Sequence, residues 1–104
     1  MNRRQLATPL LVIVLALAPA CSPSAEEVAC LDTCEALSRA FEGCGYDYAS
    51  TYDQCVAGAH CDDAARIRDE DELRNECFPA LETLDCPSLE AGALPASCQG
   101  QILL

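Results

Sequence analysis

The sequence lacks tryptophan and lysine, and among its 104 residues it has five aromatic residues and a single histidine. Its only strongly basic side chains are six arginines, against 17 Asp and Glu, which gives a formal net charge of −11. A chain this acidic repels the phosphates of nucleic acids and of anionic lipids. The sequence therefore argues against a nucleic-acid partner.

Nine cysteines are present instead, in a chain short enough for one domain. That content is typical of a disulfide scaffold made for an oxidising compartment. A disulfide contributes ~3 kcal/mol, so four would give ~12 kcal/mol, comparable to the net stability of a whole domain. We therefore expect bridges, and not a large apolar core, to hold the fold together.

Residues 1–20 have the three parts of a cleaved signal peptide. Arg3 and Arg4 form the charged start, residues 6–17 are almost purely apolar, and residues 18–20 read Ala-Pro-Ala before Cys21. The apolar run is shorter than the roughly 20 residues that span a bilayer, and it contains Pro9. We predict a signal peptide over 1–20 and not a transmembrane helix.

Cys21 allows two interpretations. Residues 17–21 resemble a bacterial lipobox, which would attach lipid to Cys21, although Leu17 lies four residues before the cysteine and Pro19 two before it. The same residues satisfy the Ala-x-Ala rule, which would release a soluble secreted module, such as an inhibitor or toxin-like protein, with a free or intermolecular thiol. The odd cysteine count favours lipidation of Cys21, because the other eight can then pair completely: Cys30, Cys34, Cys44, Cys55, Cys61, Cys77, Cys86 and Cys98.

The mature chain is predicted to form helices. Ser24 and Glu27 have capping-box spacing, and the cysteines at 30, 34 and 44 share an apolar stripe with Leu37 and Phe41, which indicates a helix over about 25–42. A second box at Thr51 and Gln54 predicts a helix over 52 to about 59. Asp69 and Glu72 begin a third helix, whose apolar stripe comprises Leu73, Cys77, Leu81 and Leu84. Pro79 lies inside this helix and should kink it or split it in two.

The fold class predicted is thus all-α: a small disulfide-stapled domain with an antiparallel helix hairpin and a third, proline-interrupted helix. Residues 21–29 are interpreted as a lipid tether and the start of the first helix, 30–98 as the domain, and 99–104 as a C-terminal tail. We also expect one helical turn at 64–68, a turn-rich stretch over 86–95, and no sheet, because no segment alternates convincingly.

Zinc is the rival use of the cysteines, but Cys30-x₃-Cys34 is followed by no matching pair, and no metal or cofactor is predicted. Eight cysteines allow 105 pairings, among which geometry gives a weak preference. In a hairpin that turns near residues 47 and 48, cysteines on the two arms face each other in nested pairs. This favours Cys34–Cys61 and Cys44–Cys55, and leaves Cys86–Cys98 and Cys30–Cys77.

Catalytic or metal-binding groups are not indicated. Histidine is a common general base, but no triad signature accompanies His60, and we interpret it as a solvent-facing residue at the end of a short helix. Residues 69–72 are acidic, but a calcium loop that begins at Asp69 would have Arg74 and Ala80 where it needs glycine and glutamate. Acids that complement a helix dipole explain the cluster. We predict that the protein is not an enzyme.

The best candidate for a binding patch is a group of tyrosines and acids on and beside the loop between the first two helices. Tyrosine-rich loops form rigid amphipathic contact surfaces, and acids beside them suit a basic protein or a glycan. The alternative is that the rings only cover a thin core. The patch comprises Tyr46, Asp47, Tyr48, Tyr52 and Asp53.

These features together resemble small cysteine-rich lipoproteins that some Gram-negative soil bacteria encode in large numbers. The resemblance is carried by Cys21 and its short tether, the runs C30-x₃-C34-x₉-C44 and C55-x₅-C61, and the late Cys86 and Cys98. It implies export, a lipid anchor in the cell envelope and a helical disulfide fold. Since Ser22, and not aspartate, follows Cys21, it also implies the outer membrane. That family has no established activity, so no functional residue is carried over.

Overall fold

The structure, a computed structural model, describes residues 23–62 and 65–103 and is mostly helical. A π-helical turn over Leu73–Cys77 joins two short α-helices, and a 3₁₀ turn covers Ala96–Cys98. The regular elements are α1 (Ala25–Glu42), α2 (Tyr48–Ala59), β1 (Arg66–Ile67), α3 (Glu70–Glu72), α4 (Phe78–Glu82), α5 (Cys86–Glu90) and β2 (Ile102–Leu103). The prediction of a small disulfide-stapled helical domain is confirmed.

Helix α1 begins and ends where the sequence predicts. The Ser24 hydroxyl accepts a hydrogen bond from the Glu27 amide at 3.1 Å, which satisfies one of the free N–H groups of the first turn. After Gly43, Gly45 adopts a φ of 95° and lets the chain reverse towards α2. The central helix of the domain is therefore encoded locally.

Helix α2 begins one turn earlier than predicted. Asp47, and not Thr51, is its N-cap, because the Asp47 carboxylate accepts from the Ser50 amide at 2.9 Å. Thr51 lies inside the first turn, where its hydroxyl donates to the Asp47 carbonyl oxygen at 2.8 Å. Both residues have capping chemistry, and the earlier one is used because the chain has already reversed by residue 47.

All eight cysteines from Cys30 to Cys98 are paired, as predicted, but the preferred pairing was wrong. The hairpin turns near residue 45 and not near 47–48, so the nested bonds fall on different partners. The four bonds are Cys30–Cys61, Cys34–Cys55, Cys44–Cys86 and Cys77–Cys98. The first two close the hairpin, the third ties its turn to α5, and the fourth holds the C-terminal part.

The third helical segment, residues 70–82, follows the prediction at its start. The Asp69 carboxylate accepts from the Glu72 amide at 3.1 Å. The segment is not split at Pro79, because helical structure continues from residue 70 to residue 82. The π-helical turn precedes Pro79, with the Phe78 amide bonded to the Leu73 carbonyl five residues back. A proline ring and its missing N–H disturb an ordinary α-helical turn, and the wider turn accommodates them.

The region after α2 corrects three further expectations. Residues 66–67 form β1 and not part of a helical turn, and residue 64 lies outside the described residues. β1 pairs antiparallel with β2, Arg66 with Leu103 and Ile67 with Ile102, which is a sheet too short to show alternation. Asp85 caps α5 within the stretch predicted as turns.

Residues 99–103, assigned to a tail by the sequence, lie against the domain. The Gln101 side chain is 2% exposed. Its amide oxygen accepts from the Asp69 amide at 3.0 Å, and its amide nitrogen donates to Glu72 at 2.8 Å and to the Ser97 carbonyl at 2.9 Å. One glutamine therefore joins the chain end to the start of the third helical segment.

The core is divided in two by α1, which contacts α2 and also residues 70–82. Cys30, Cys34 and Cys61 form one buried cluster on the α2 side. Ala29 packs with the stripe of the third segment on the other side: Leu73, Cys77 and Leu81. The buried arc of α1 is wider than its apolar stripe because small and polar residues also face inward, among them Thr33 and Ser38.

Candidate functional site

The predicted tyrosine patch begins at the turn of the hairpin. We call Phe41 together with residues 43–47 the hairpin tip. Tyr46 is 45% exposed, and its ring meets that of Phe41 edge-on with a centroid distance of 5.2 Å. The Tyr46 amide donates to the Phe41 carbonyl at 3.1 Å, and the bond from Cys44 to Cys86 fixes the turn to α5. The backbone that carries this exposed aromatic ring is thereby tied to both α1 and α5.

The rest of the patch lies on α2. The Tyr48 and Tyr52 rings stack at 5.9 Å with an interplanar angle of 12°. Tyr52 also packs against the cluster of Cys30, Cys34 and Cys61, so this ring covers the core. Asp53 is exposed, whereas the Asp47 carboxylate is engaged in capping α2. The five residues therefore divide into Tyr46 and Asp47 at the exposed tip, the half-buried stacked pair on α2, and exposed Asp53 beside that pair in sequence.

Sequence reasoning missed the contribution of Phe41 to the tip. It placed Phe41 on the buried stripe of α1, because residues four apart, such as Leu37 and Phe41, share one face of a helix. In the structure Phe41 is half-buried in the last turn, and Tyr46 returns over it. An aromatic residue in the last helical turn, followed by two glycines and a second aromatic residue, is the signal that indicates such a pair.

A groove of about 390 Å³ lies between α1 and the third helical segment, which the sequence also did not indicate. Arg74 crosses it, with its guanidinium 2.9 Å from Asp32 and 2.7 Å from Glu70. The hydrogen bonds that the Arg74 guanidinium donates to these carboxylates, first to Glu70 and then to Asp32, raise the pKa of Arg74. Arg39 pairs in turn with Glu35 at 2.6 Å. Both arginines are thus matched by acids of the protein itself.

His60 and the acidic residues 69–72 have structural positions. His60 is exposed at the C-cap of α2 with a φ of 55°, the left-handed conformation in which helices often end. This agrees with its interpretation as a residue at the end of a short helix. Asp69 caps α3, and Glu72 pairs with Arg68 at 2.7 Å, so the acids begin a helix as predicted.

Hydrogen bonds from Ser88 lower the pKa of the Asp85 carboxyl. The Ser88 hydroxyl and the Ser88 amide both donate to it, at 2.8 and 3.1 Å, and hydrogen bonds to the charged form favour ionisation. The Asp85 carboxylate is exposed and caps α5. The shift therefore reports a helix cap and not a reactive group.

Other site predictions fall partly outside the described residues. The signal peptide over 1–20 and Cys21 lie there. Within residues 23–62 and 65–103, no three His, Cys, Asp or Glu side chains come together as a group that would hold a metal ion. Over those same ranges, no helix has both the length and the apolar content needed to cross a bilayer.

Comparisons of the chain with known protein families, with curated proteins and with solved structures give no match.

Proposed function

We propose that this is an exported protein of a bacterial cell envelope, anchored by lipid on Cys21, that acts by binding and not by catalysis. One observation carries the proposal. The eight cysteines from Cys30 to Cys98 are used in four bonds, so the ninth, Cys21, has no partner within the domain. It follows a signal-like segment with small residues at the cleavage position, where a lipid-bearing cysteine belongs.

The short tether supports this proposal by keeping the start of the domain close to the anchor. Ser24 already caps α1, so only two residues separate Cys21 from the folded domain, a reach of ~10 Å. We call residues 25–30 and 59–61, joined by the Cys30–Cys61 bond, the hairpin base. With the base at the membrane, α1 rises 18 residues, or ~27 Å, to the hairpin tip.

The hairpin tip is the surface that we propose for binding. Tyr46 is exposed beside the Cys44–Cys86 bond and lies at the end of the hairpin opposite the base, where a partner would meet it first. Rigid aromatic side chains lose little conformational entropy on binding. Glu42 and Asp53 are exposed and lie close to Tyr46 in the sequence. Acids also exceed arginines over the chain as a whole, so a basic protein is the favoured partner.

The anchor is tested by labelling cells with a radioactive fatty acid. We expect label on the wild-type protein and on a Ser22→Ala control, and none on Cys21→Ser. We also expect Ser22→Asp to retain the protein in the inner membrane, because aspartate after the lipidated cysteine acts as a retention signal. Unlabelled wild-type protein found outside the cell would support the secreted alternative and contradict the anchor.

The binding surface is tested by capture from envelope extract with the wild type and with Tyr46→Ala. We expect a basic protein whose capture weakens as salt rises and is lost with Tyr46→Ala, because exposed charges are screened within ~8 Å at physiological ionic strength. An Asn75→Ala variant, exposed on the third helical segment, serves as the control. Identical capture by all three proteins would show that the tip only covers the core.

A further inference from the structure

We infer that the hairpin base rests on the surface of a zwitterionic phospholipid bilayer through the exposed aliphatic side chains of Val28 and Leu103. This inference depends on the proposed lipid anchor. It adds a second, non-covalent contact that orients the domain, so that the hairpin stands on the membrane and its tip points away.

The exposed large apolar side chains of the described residues are three, and they are distributed unevenly. Val28 is 37% exposed and Leu103 44% exposed, whereas the third, Tyr46, belongs to the tip. Val28 lies in the first turn of α1, two residues before Cys30 of the base. The exposed aliphatic side chain of Val28 thus lies at the end of the hairpin next to the tether. The exposed aromatic side chain of Tyr46 lies at the opposite end.

The fold brings Leu103 to the base although it is distant in sequence. Leu103 pairs with Arg66 in the two-stranded sheet, and Ile102 beside it packs against the cluster of Cys30, Cys34 and Cys61. β1 also contacts α1. The chain end therefore delivers an exposed leucine to the same end of the molecule as Val28.

The tether length makes contact with the bilayer hard to avoid. A reach of ~10 Å from Cys21 is comparable to the headgroup layer of one leaflet, which is ~5–8 Å thick. The first turn of α1 therefore lies at the interface, where exposed aliphatic groups leave water favourably.

Charge decides which lipid the base fits. Glu26, Glu27 and Asp62 are half-buried or exposed at this end and repel an anionic surface, whereas Arg66 is exposed next to Leu103. A mixture of carboxylates and a guanidinium suits headgroups that carry an ammonium and a phosphate together. We therefore expect zwitterionic phosphatidylethanolamine or phosphatidylcholine to be contacted, and the contact to weaken as anionic lipid is added.

The absence of tryptophan permits a direct test, because one introduced indole is the only one in the protein. Val28→Trp and Leu103→Trp probe the base, and Tyr46→Trp is the matched control at the tip. Each full-length variant is produced in lipidated form, checked for four disulfides and helical circular dichroism, and reconstituted into phosphatidylcholine vesicles containing lipid brominated near the glycerol. Fluorescence is then measured, since bromine quenches an indole only at close contact.

We expect quenching several-fold stronger at positions 28 and 103 than at position 46, since the tip stands ~27 Å above the base. We also expect it to fall when anionic lipid replaces phosphatidylcholine. Lipidated variants with no more quenching at the base than at the tip would overturn the docking surface and leave the anchor intact. Variants shown by mass to carry no lipid would overturn both, so the two failures are distinguishable.

Discussion

The hairpin of α1 and α2 and the region of residues 65–103 are stabilised in different ways. The hairpin has two helices of 18 and 12 residues and two disulfides of its own. The later region has helical pieces of three to five residues, a two-residue strand pair and one internal disulfide. Its order depends on α1, against which it packs, and on the buried side chain of Gln101. The comparison indicates a self-sufficient half and a dependent half.

The largest expected effect comes from removing one disulfide from each region. In the chain-entropy estimate, loss of either Cys30–Cys61 or Cys77–Cys98 costs ~3–4 kcal/mol. We expect the Cys77→Ala, Cys98→Ala double variant to lose amide-exchange protection only over residues 70–103, because the hairpin keeps both of its bonds. The Cys30→Ala, Cys61→Ala variant should lose it in both regions. Equal, uniform loss in the two variants would show a single cooperative unit.

The buried glutamine tests how the dependent region is held. Gln101→Ala removes three side-chain hydrogen bonds and leaves part-buried polar groups unsatisfied, so we expect a loss of ~2–3 kcal/mol in urea unfolding. Gln99→Ala is the matched control, since that exposed amide makes one bond to the Leu94 carbonyl. Comparable losses for the two variants would contradict the role given to Gln101.

The start of α2 gives a smaller effect. We expect Asp47→Ala to cost ~1 kcal/mol, because it removes the acceptor for the Ser50 amide, and Thr51→Ala to cost clearly less, because Thr51 is not the cap. Chemical denaturation of the two variants decides between them. If Thr51→Ala were the more damaging, the helix would begin where its sequence pattern alone placed it.

The same comparison explains what could be predicted from the sequence. The bounds of α1 and the cap at Asp69 follow from local spacing, and both were predicted correctly. The pairing of cysteines was not, because a shift of the hairpin turn by two or three residues changes which cysteines face each other across it, and the Cys44–Cys86 bond depends on a long-range contact. Strands of two residues and a buried Gln101 leave no periodic signal, since long-range contacts alone determine them. Tyr46 of the tip was predicted from the sequence as part of a binding patch. The half-buried position of Phe41 beside Tyr46 was not, because its spacing also fits the apolar stripe of α1.

The smallest expected effect concerns two buried hydroxyls of α1. The Ser38 hydroxyl is fully buried and has no hydrogen-bond partner among the described residues, so Ser38→Ala should stabilise the protein by up to ~1 kcal/mol. The Thr33 hydroxyl donates to the Ala29 carbonyl at 2.7 Å, so Thr33→Val should destabilise it by a similar amount. Thermal unfolding of both variants gives the signs, and a Ser38→Ala loss would contradict the packing described here.

The central claim is that eight cysteines fold the domain and the ninth anchors it. Intact mass of the native mature protein, before and after reduction, tests this most directly. The account predicts a chain that begins at Cys21, carries the mass of attached lipid, and gains two hydrogens for each of four bonds on reduction. A mature chain without lipid, or one in which Cys21 takes part in a disulfide, would contradict it.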